Sequence, residues 1–551
     1  MTYSVINRIV AAPPEPGRIR FLRLDSTESL DLAALYAQAG RVALWLRELG
    51  IGPGDRIGIL AANCLEWVLL DLAALRLAAV TAGLEPGKFQ PDGALLARYD
   101  LSLLFTDQPL SEVEGVRPIG EVRRIAEAAV AGTATAGTAV GGTATAGTAV
   151  GGTATAEAAA GRTAAVGTVT RLAVLDGTLP TVSYGPDDVT TIKFTSGSTG
   201  QPKGLAATVG SIDSSLRAVQ EMFAHGPGDD LFIFLPLSLL QQRYWVYSAL
   251  CFGHDATVST YEAAFAALRQ AQPTVVMGVP GFFETAKKHI EARARRDGGD
   301  QALRTAARAV FGERIRYLWT GSAPASAAML RFFNDVGLPI YEGYGLNETC
   351  IVSKNYPGAS REGSVGRVLP GKQVLLDEHG VVSVRCDYPV NRRYEYAAPG
   401  DSERMFGPDG VVRTGDLGYL DEDGFLYIRG RADDVIVLDN GKKVVVRPIE
   451  EHMKRSPAIE ECVVFCPAQT HLVAVVSPAG EPADEAAIAA QLTLTNTALA
   501  SDERISKVVV AHPRFSIEDN TLTSQYKPKR RQIFEVYRSQ IQDSRRGIYA
   551  R

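Results

Sequence analysis

The sequence predicts an α/β fold: a large body of wound strand and helix layers, followed by a small α+β unit at the C-terminal side. Three observations carry this reading. Short apolar strands alternate with helical spacing from Arg56 to Trp319. Beyond Arg431 the pattern shrinks to a hairpin, short strands and brief helices. The 551 residues, 46% of them hydrophobic, also exceed what a single core normally holds, so two or more domains are expected.

Taken in order, the opening MTYSVINRIVAAPPEPGRIRF has no apolar run long enough for a signal peptide. The longest apolar stretch, around Trp67 to Leu84, is interrupted by Asp71 and Arg76, so no membrane span is expected and a cytoplasmic protein is the default. A formal net charge of -5 with acids and bases interspersed argues against nucleic acid as a partner. Residues Ala34 to Gly50 read as an amphipathic helix, Pro53-Gly54-Asp55 as a turn, and Arg56–Leu60 as a strand. A second, apolar helix is expected from about Leu65 to Ala82. The six cysteines form no C-x-x-C pair, and Cys462 and Cys466 read as thiols on one strand face rather than a metal site. From about Ala128 to Thr168 the composition collapses to Ala, Gly, Thr and Val, with GGTATAGTAV recurring. So few large side chains cannot offset their ordering entropy, and the segment reads as a mobile insertion.

The stretch that organises the chain is Val189–Phe194, an apolar strand, followed by Thr195-Ser196-Gly197-Ser198-Thr199-Gly200-Gln201-Pro202-Lys203-Gly204. Ile212, Leu216, Val219 and Phe223 then recur at helical spacing, so strand, loop, helix is the expected order. Small residues let backbone N–H groups approach an anion, the hydroxyls add donors and Lys203 adds charge, as a polyphosphate cradle requires. A Walker A loop is excluded, because Pro202 precedes Lys203 and Gly204 follows it. Further strands are expected from Asp229 to an end at Pro236, where a helix carrying aromatic residues begins, and at Thr257–Ser259, Thr274–Val279 and Arg316–Trp319, while Tyr244, Trp245 and Tyr247 read as core. The loops Thr320–Pro324 and Tyr341–Thr349 fall at carboxyl ends of strands, where ligands gather in wound sheets.

The string TSGSTGQPKG resembles the nucleotide-binding signature of the adenylate-forming superfamily, which includes acyl-CoA and aryl-CoA synthetases, nonribosomal peptide adenylation domains and luciferases. LPLSLLQQRYW and NGKKVVVRPIE carry a closer likeness to long-chain acyl-CoA synthetases. The resemblance implies a large N-terminal adenylation domain over 1–430, a hinge at 431–434 that includes Asp433, and a mobile lid over 435–551. It assigns Thr195, Ser196, Gly197, Ser198, Thr199, Gly200 and Lys203 to the ATP phosphates. Gly321, Ser322, Ala323, Glu342, Gly343, Tyr344, Gly345 and Asn347 fall to the rest of the nucleotide site. Tyr344 has a flat face suited to a purine, and Glu348 is a hard oxygen ligand suited to Mg²⁺. Asp416 and Arg431 match the ribose motif, Lys527 matches the lysine that crosses to the active site for adenylation, and Gly441 matches the thiol path. Two positions depart from the pattern: Leu239 stands where many long-chain relatives have His, and Asn347 where Thr is usual.

The implied activity is adenylation of a carboxylic acid, a fatty-acid-like one, by ATP with Mg²⁺, releasing pyrophosphate, and then transfer of the acyl group to a thiol, coenzyme A before others. The alternative is a specialised-metabolism enzyme with another acceptor, either a carrier-protein thiol or an aryl amine diazotised through activated nitrite. A non-catalytic nucleotide-binding scaffold is a third reading, disfavoured because Lys203, Glu348, Asp416 and Lys527 occur together.

Overall fold

The computed structural model describes residues 4–109, 113–128, 178–196, 202–297, 300–388, 390–439, 442–467, 471–523, 527–543 and 547–549. The repeats, Gly197 to Gln201 and Gly441 lie outside these residues.

The large body is built on two wound sheets. The six-stranded one runs in the order Val116–Pro118, Leu103–Thr106, Arg56–Leu60, Val80–Leu84, Val189–Ser196, Pro202–Thr208, and is parallel except at the last pair. In the nine-stranded one, a parallel centre from Arg18–Leu22 to Ile340–Leu346 is flanked by antiparallel edges. Both faces of these strands are covered, which is why they read as continuous apolar runs rather than alternating ones. One core joins the two sheets through Leu46, Leu69, Ile212 and Trp245 from four helices, against Ile57 and Ile59 of one sheet and Ile233 and Val275 of the other. Tyr244, Trp245 and Tyr247 are buried there. The neighbouring side chains Phe232 and Val276 face the opposite way, into a second core with Phe283 and Phe333.

Lys372–Leu376, Val381–Cys386, Val411–Leu420 and Leu426–Arg431 form a four-stranded antiparallel sheet that ends the body. A 3-10 turn, Ala432–Asp434, leads from it into the hairpin Val435–Val437 and Lys443–Val445. The small unit follows. Its sheet of Ile459–Phe465, Leu472–Pro478, Ile505–Val510 and Ile548–Tyr549 alternates strictly: Cys462 and Val464 face the helices Arg447–Met453 and Glu485–Thr497, while Val463 and Phe465 face Arg530–Gln542. Cys462 is buried in its strand, and no cluster of metal-ligating side chains occurs among the described residues.

Three sequence expectations are corrected. The second helix ends at Leu75, and Val80–Leu84 is a strand between Arg56–Leu60 and Val189–Ser196. An unbroken apolar run does not distinguish a buried helix from a buried strand, and the break is set by Ala78 with φ 55°. The cradle leads into a strand, not directly into a helix: Pro202–Thr208 returns antiparallel along Val189–Ser196, and the helix Val209–Phe223 starts after it, capped by Thr208. Small residues Gly204, Ala206 and Ala207 let this return strand lie tightly on the sheet edge, so the segment that follows the cradle is a strand and the helix N-terminus comes only after it. Finally, much of the expected loop Tyr341–Thr349 belongs to the strand Ile340–Leu346, which pairs with Cys350–Lys354.

Candidate active site

The cradle hairpin sets Thr195 opposite Lys203 and Ser196 opposite Pro202. Lys203 Nζ lies 2.8 Å from the Asp401 carboxylate and 4.9 Å above the Tyr394 ring. The Tyr394 hydroxyl donates to Glu348 Oε1 at 2.7 Å, so the cradle lysine and the proposed metal carboxylate are tied through one aromatic side chain. Glu348 is buried in the turn between Ile340–Leu346 and Cys350–Lys354.

Asp416 does not sit on a free turn, as its glycine neighbours suggest, but within the strand Val411–Leu420, in register with Arg431. Gly415, at φ 71°, makes the local irregularity that aims it. Arg431 Nη1 donates to Asp416 Oδ1 at 3.0 Å and to the Thr414 carbonyl at 2.6 Å. The Tyr344 hydroxyl donates to Asp416 Oδ2. Burial pushes the Tyr344 phenol far up, and the adjacent Asp416 charge pushes it further.

Lys527 comes into this neighbourhood from the small unit. Burial lowers its ammonium pKa, Asp416 opposes that shift, and Arg431 and Arg447 add to it. The Lys527 loop is closed on itself: the Thr523 N–H donates to the Lys527 carbonyl at 2.8 Å and the Lys527 N–H to Thr523 Oγ1 at 3.1 Å. Arg530 pairs with Asp434 at 3.1 Å and Glu450 at 2.7 Å, so the lysine loop is bolted to the segment just past Asp433. A cleft of about 1260 Å³ opens between the body at Thr195, Ser238 and Leu239 and the small unit at Thr523, Lys529 and Arg531.

Not every glycine of the nucleotide motif needs a ligand to explain it. A Cβ at Gly345 would fall 1.9 Å from the Cys350 carbonyl oxygen, and one at Gly343 would fall 2.6 Å from Lys354 Cδ. The adjoining strand alone demands both. Glu342 is held by the Ala325 N–H at 3.0 Å, and burial pushes its carboxyl up to about 7.

Beneath the nucleotide residues lies a cavity of about 90 Å³ whose lining includes Lys193, Leu239, Gln242, Trp319, Asn347 and Cys350; Gly321 and Ser322 also border it, with Ala323 next in the chain. Lys193 Nζ donates to Asn347 Oδ1. Burial lowers its pKa to about 8; Cys350 and Glu348 favour the charged form, while Arg243 and Lys527 oppose it. Trp319 is fixed by Phe223, stacked at 5.0 Å, and by the Lys354 ammonium 3.8 Å over its face. Arg243 packs behind, fully buried, paired with Asp71 at 3.2 Å.

The structure therefore gathers Glu348, Tyr344, Asn347, Asp416, Arg431, Lys203 and Lys527, and places Asp433 in the turn between body and small unit. Sequence reasoning missed Lys193, Gln242, Tyr394 and Asp401. Only Lys193 left a signal, a cation inside an otherwise strand-like run, TTIKF. The other three arrive from distant segments.

Residues 10–386 match the AMP-binding enzyme family, and residues 433–547 match the AMP-binding enzyme C-terminal domain. The chain belongs to the AMP-binding enzyme family. It is an AMP-forming ligase. It is similar to the long-chain-fatty-acid–CoA ligase FadD15 of Mycobacterium bovis, at 28% identity over 96% of this chain and 94% of the relative. Among solved structures it resembles the o-succinylbenzoate CoA synthetase MenE of Bacillus subtilis in complex with its acyl-adenylate intermediate, with TM-score 0.70, 20% identity and 98% of each chain covered. It also resembles ATP-bound MatB of Rhodopseudomonas palustris, with TM-score 0.72, 20% identity, 98% of this chain and 100% of that one. These likenesses bear out the expected architecture of a large N-terminal and a small C-terminal domain. Among the described residues, no helix is long and apolar enough to cross a membrane.

Proposed function

We propose that this AMP-forming ligase binds ATP across the cradle, Tyr344, Asp416 and Arg431, and uses Lys527 as the mobile cation of the adenylation step. An oxyanion of the acid attacks the α-phosphorus, the bond to the bridging oxygen breaks, and pyrophosphate leaves with that electron pair. Positioning and charge stabilisation are all the protein must supply. One observation carries the assignment: Thr523, whose N–H donates to the Lys527 carbonyl at 2.8 Å, lines the same cleft as Thr195 of the cradle strand. Glu348, buried and oriented by Tyr394, fits Mg²⁺ as a hard oxygen ligand, and such an ion would neutralise phosphate charge.

A thiol, coenzyme A before a carrier protein, then displaces AMP once the small unit has swung about the 431–434 segment, with Gly441 along its path. The domain limits 1–430 and 435–551 and a cytoplasmic setting belong to the same proposal. A second reading, activation of nitrite for transfer to an aryl amine, is favoured by the cation in a small acid pocket. Pyrophosphate exchange into ATP, screened over fatty acids, aryl acids and nitrite, tests the first half-reaction. No exchange with any of them would overturn it. Adding coenzyme A or an aryl amine to the active pair then identifies the acceptor.

A further inference from the structure

The acid end of the site differs in kind from a slot for an alkyl chain. Lys193 projects from the central part of the strand Val189–Ser196 into the cavity, and among the described residues its partner is an amide oxygen, that of Asn347, not a carboxylate. Lys193 is half-buried, and the Glu348 carboxylate favours its charge without a bond to it among the described residues, so an arriving anion would complete its pairing. The nearest buried neighbour of like sign, Arg243, is already committed to Asp71 and leaves its own charge balanced.

A second observation is independent of the lysine. Gln242, 3% exposed and also lining the cavity, has a buried Oε1 with no hydrogen-bond partner. An orphaned amide oxygen is an acceptor, so it calls for a hydrogen-bond donor, which a bound water or the protonated oxygen of a small acid supplies. The third observation is size. A cavity of about 90 Å³ holds roughly six to nine water-sized groups. Trp319 cannot swing aside to lengthen it, because Phe223 and Lys354 hold its two faces.

We propose that Lys193, held by Asn347, makes this a pocket for a compact oxyanion, a short carboxylate or dicarboxylate or an inorganic oxyacid anion, and excludes long alkyl acids. The inference rests on the adenylation reading for what happens next, since the same anion oxygen must attack the α-phosphorus, but binding itself does not depend on that step. It also gives Asn347 a reason: its carbonyl oxygen accepts from the ammonium and fixes it over the cavity. Lys193 is thus the specificity-determining residue.

The test uses the full-length enzyme. Calorimetry in the presence of AMP measures binding of nitrite, malonate, propionate and hexadecanoate, and pyrophosphate exchange measures their adenylation. The wild type is expected to bind and exchange at least one of the compact anions and to reject hexadecanoate. Lys193→Met should weaken that anion by about tenfold or more, the size of a lost bond to a charged group, with the KM for ATP unchanged. Asn347→Ala, which keeps the lysine but removes the oxygen that holds it, provides a second variant if the first does not fold, with a smaller loss expected. Hexadecanoate exchanging as well as any compact acid, or a Lys193→Met enzyme with unchanged acid affinity, would overturn the inference and leave adenylation standing. Lysine-dependent anion binding without any exchange would do the reverse. Whether nitrite or a carboxylate is the anion that exchanges identifies its source.

Discussion

The two halves of the site are built on opposite terms. On the nucleotide side the charges are matched before any ligand arrives: Asp416 with Arg431 and Tyr344, Lys203 with Asp401, and Glu348 with Tyr394. On the acid side, among the described residues, Lys193 bonds an amide oxygen and no carboxylate, and Gln242 leaves a buried oxygen unmatched. A preorganised half holds a cosubstrate shared across a family, whereas an uncompensated half waits for the ligand that completes it. The chemistry is therefore the family's, and the selectivity is this chain's own.

The comparison can be broken most forcefully at Lys527. Lys527→Ala should lower the rate of pyrophosphate exchange by about a hundredfold or more while ATP affinity by calorimetry stays near the parental value, because the lysine acts on charge that develops in the transition state. A parental exchange rate in that variant would remove the lysine from the mechanism. Asp416→Ala strands Arg431 and deprives the ribose of its acceptor. We expect nucleotide affinity to fall by about tenfold or more, with the KM for the acid little changed.

Changing pH separates the halves without mutation. Lys193 titrates near 8, so its ammonium is present below that pH and is lost as pH rises through it. Cys350 and Glu348 face it with the sign that holds the proton, Arg243 and Lys527 with the sign that expels it. The KM for the acid should therefore climb above pH 8, approaching tenfold per unit, while the KM for ATP changes less. A flat profile in the wild type would show that the cation does not meet the anion. Asp433→Pro should slow transfer to the thiol several-fold more than exchange, and equal losses would count against a hinge. The smallest effect is expected from Tyr344→Phe. Losing one hydrogen bond to Asp416 should raise the nucleotide KM by about fivefold, about 1 kcal/mol.

Much of this arrangement was legible along the chain. The α/β class, the small C-terminal unit and the hairpin Val435–Val437 with Lys443–Val445 all follow from local patterns, because turns, strand alternation and short motifs are written in neighbouring residues. The misreadings share a cause. Val80–Leu84 and Pro202–Thr208 are strands because a sheet edge is available to them, which no window of sequence reveals. Asn347 could be recognised as a departure but not explained, since its partner Lys193 lies 154 positions away.

By itself the sequence determined the family and marked a glycine and hydroxyl loop, a carboxylate and a lysine borne on a late basic segment as the proposed holders of a nucleotide, for those groups sit in contiguous strings whose chemistry does not depend on distant neighbours. Only the tertiary structure decided what surrounds the acid. Lys193, Gln242, Trp319 and Asn347 come from four separate elements, and whether a half-buried lysine is paired, solvated or left facing a cavity depends on the space those elements enclose together.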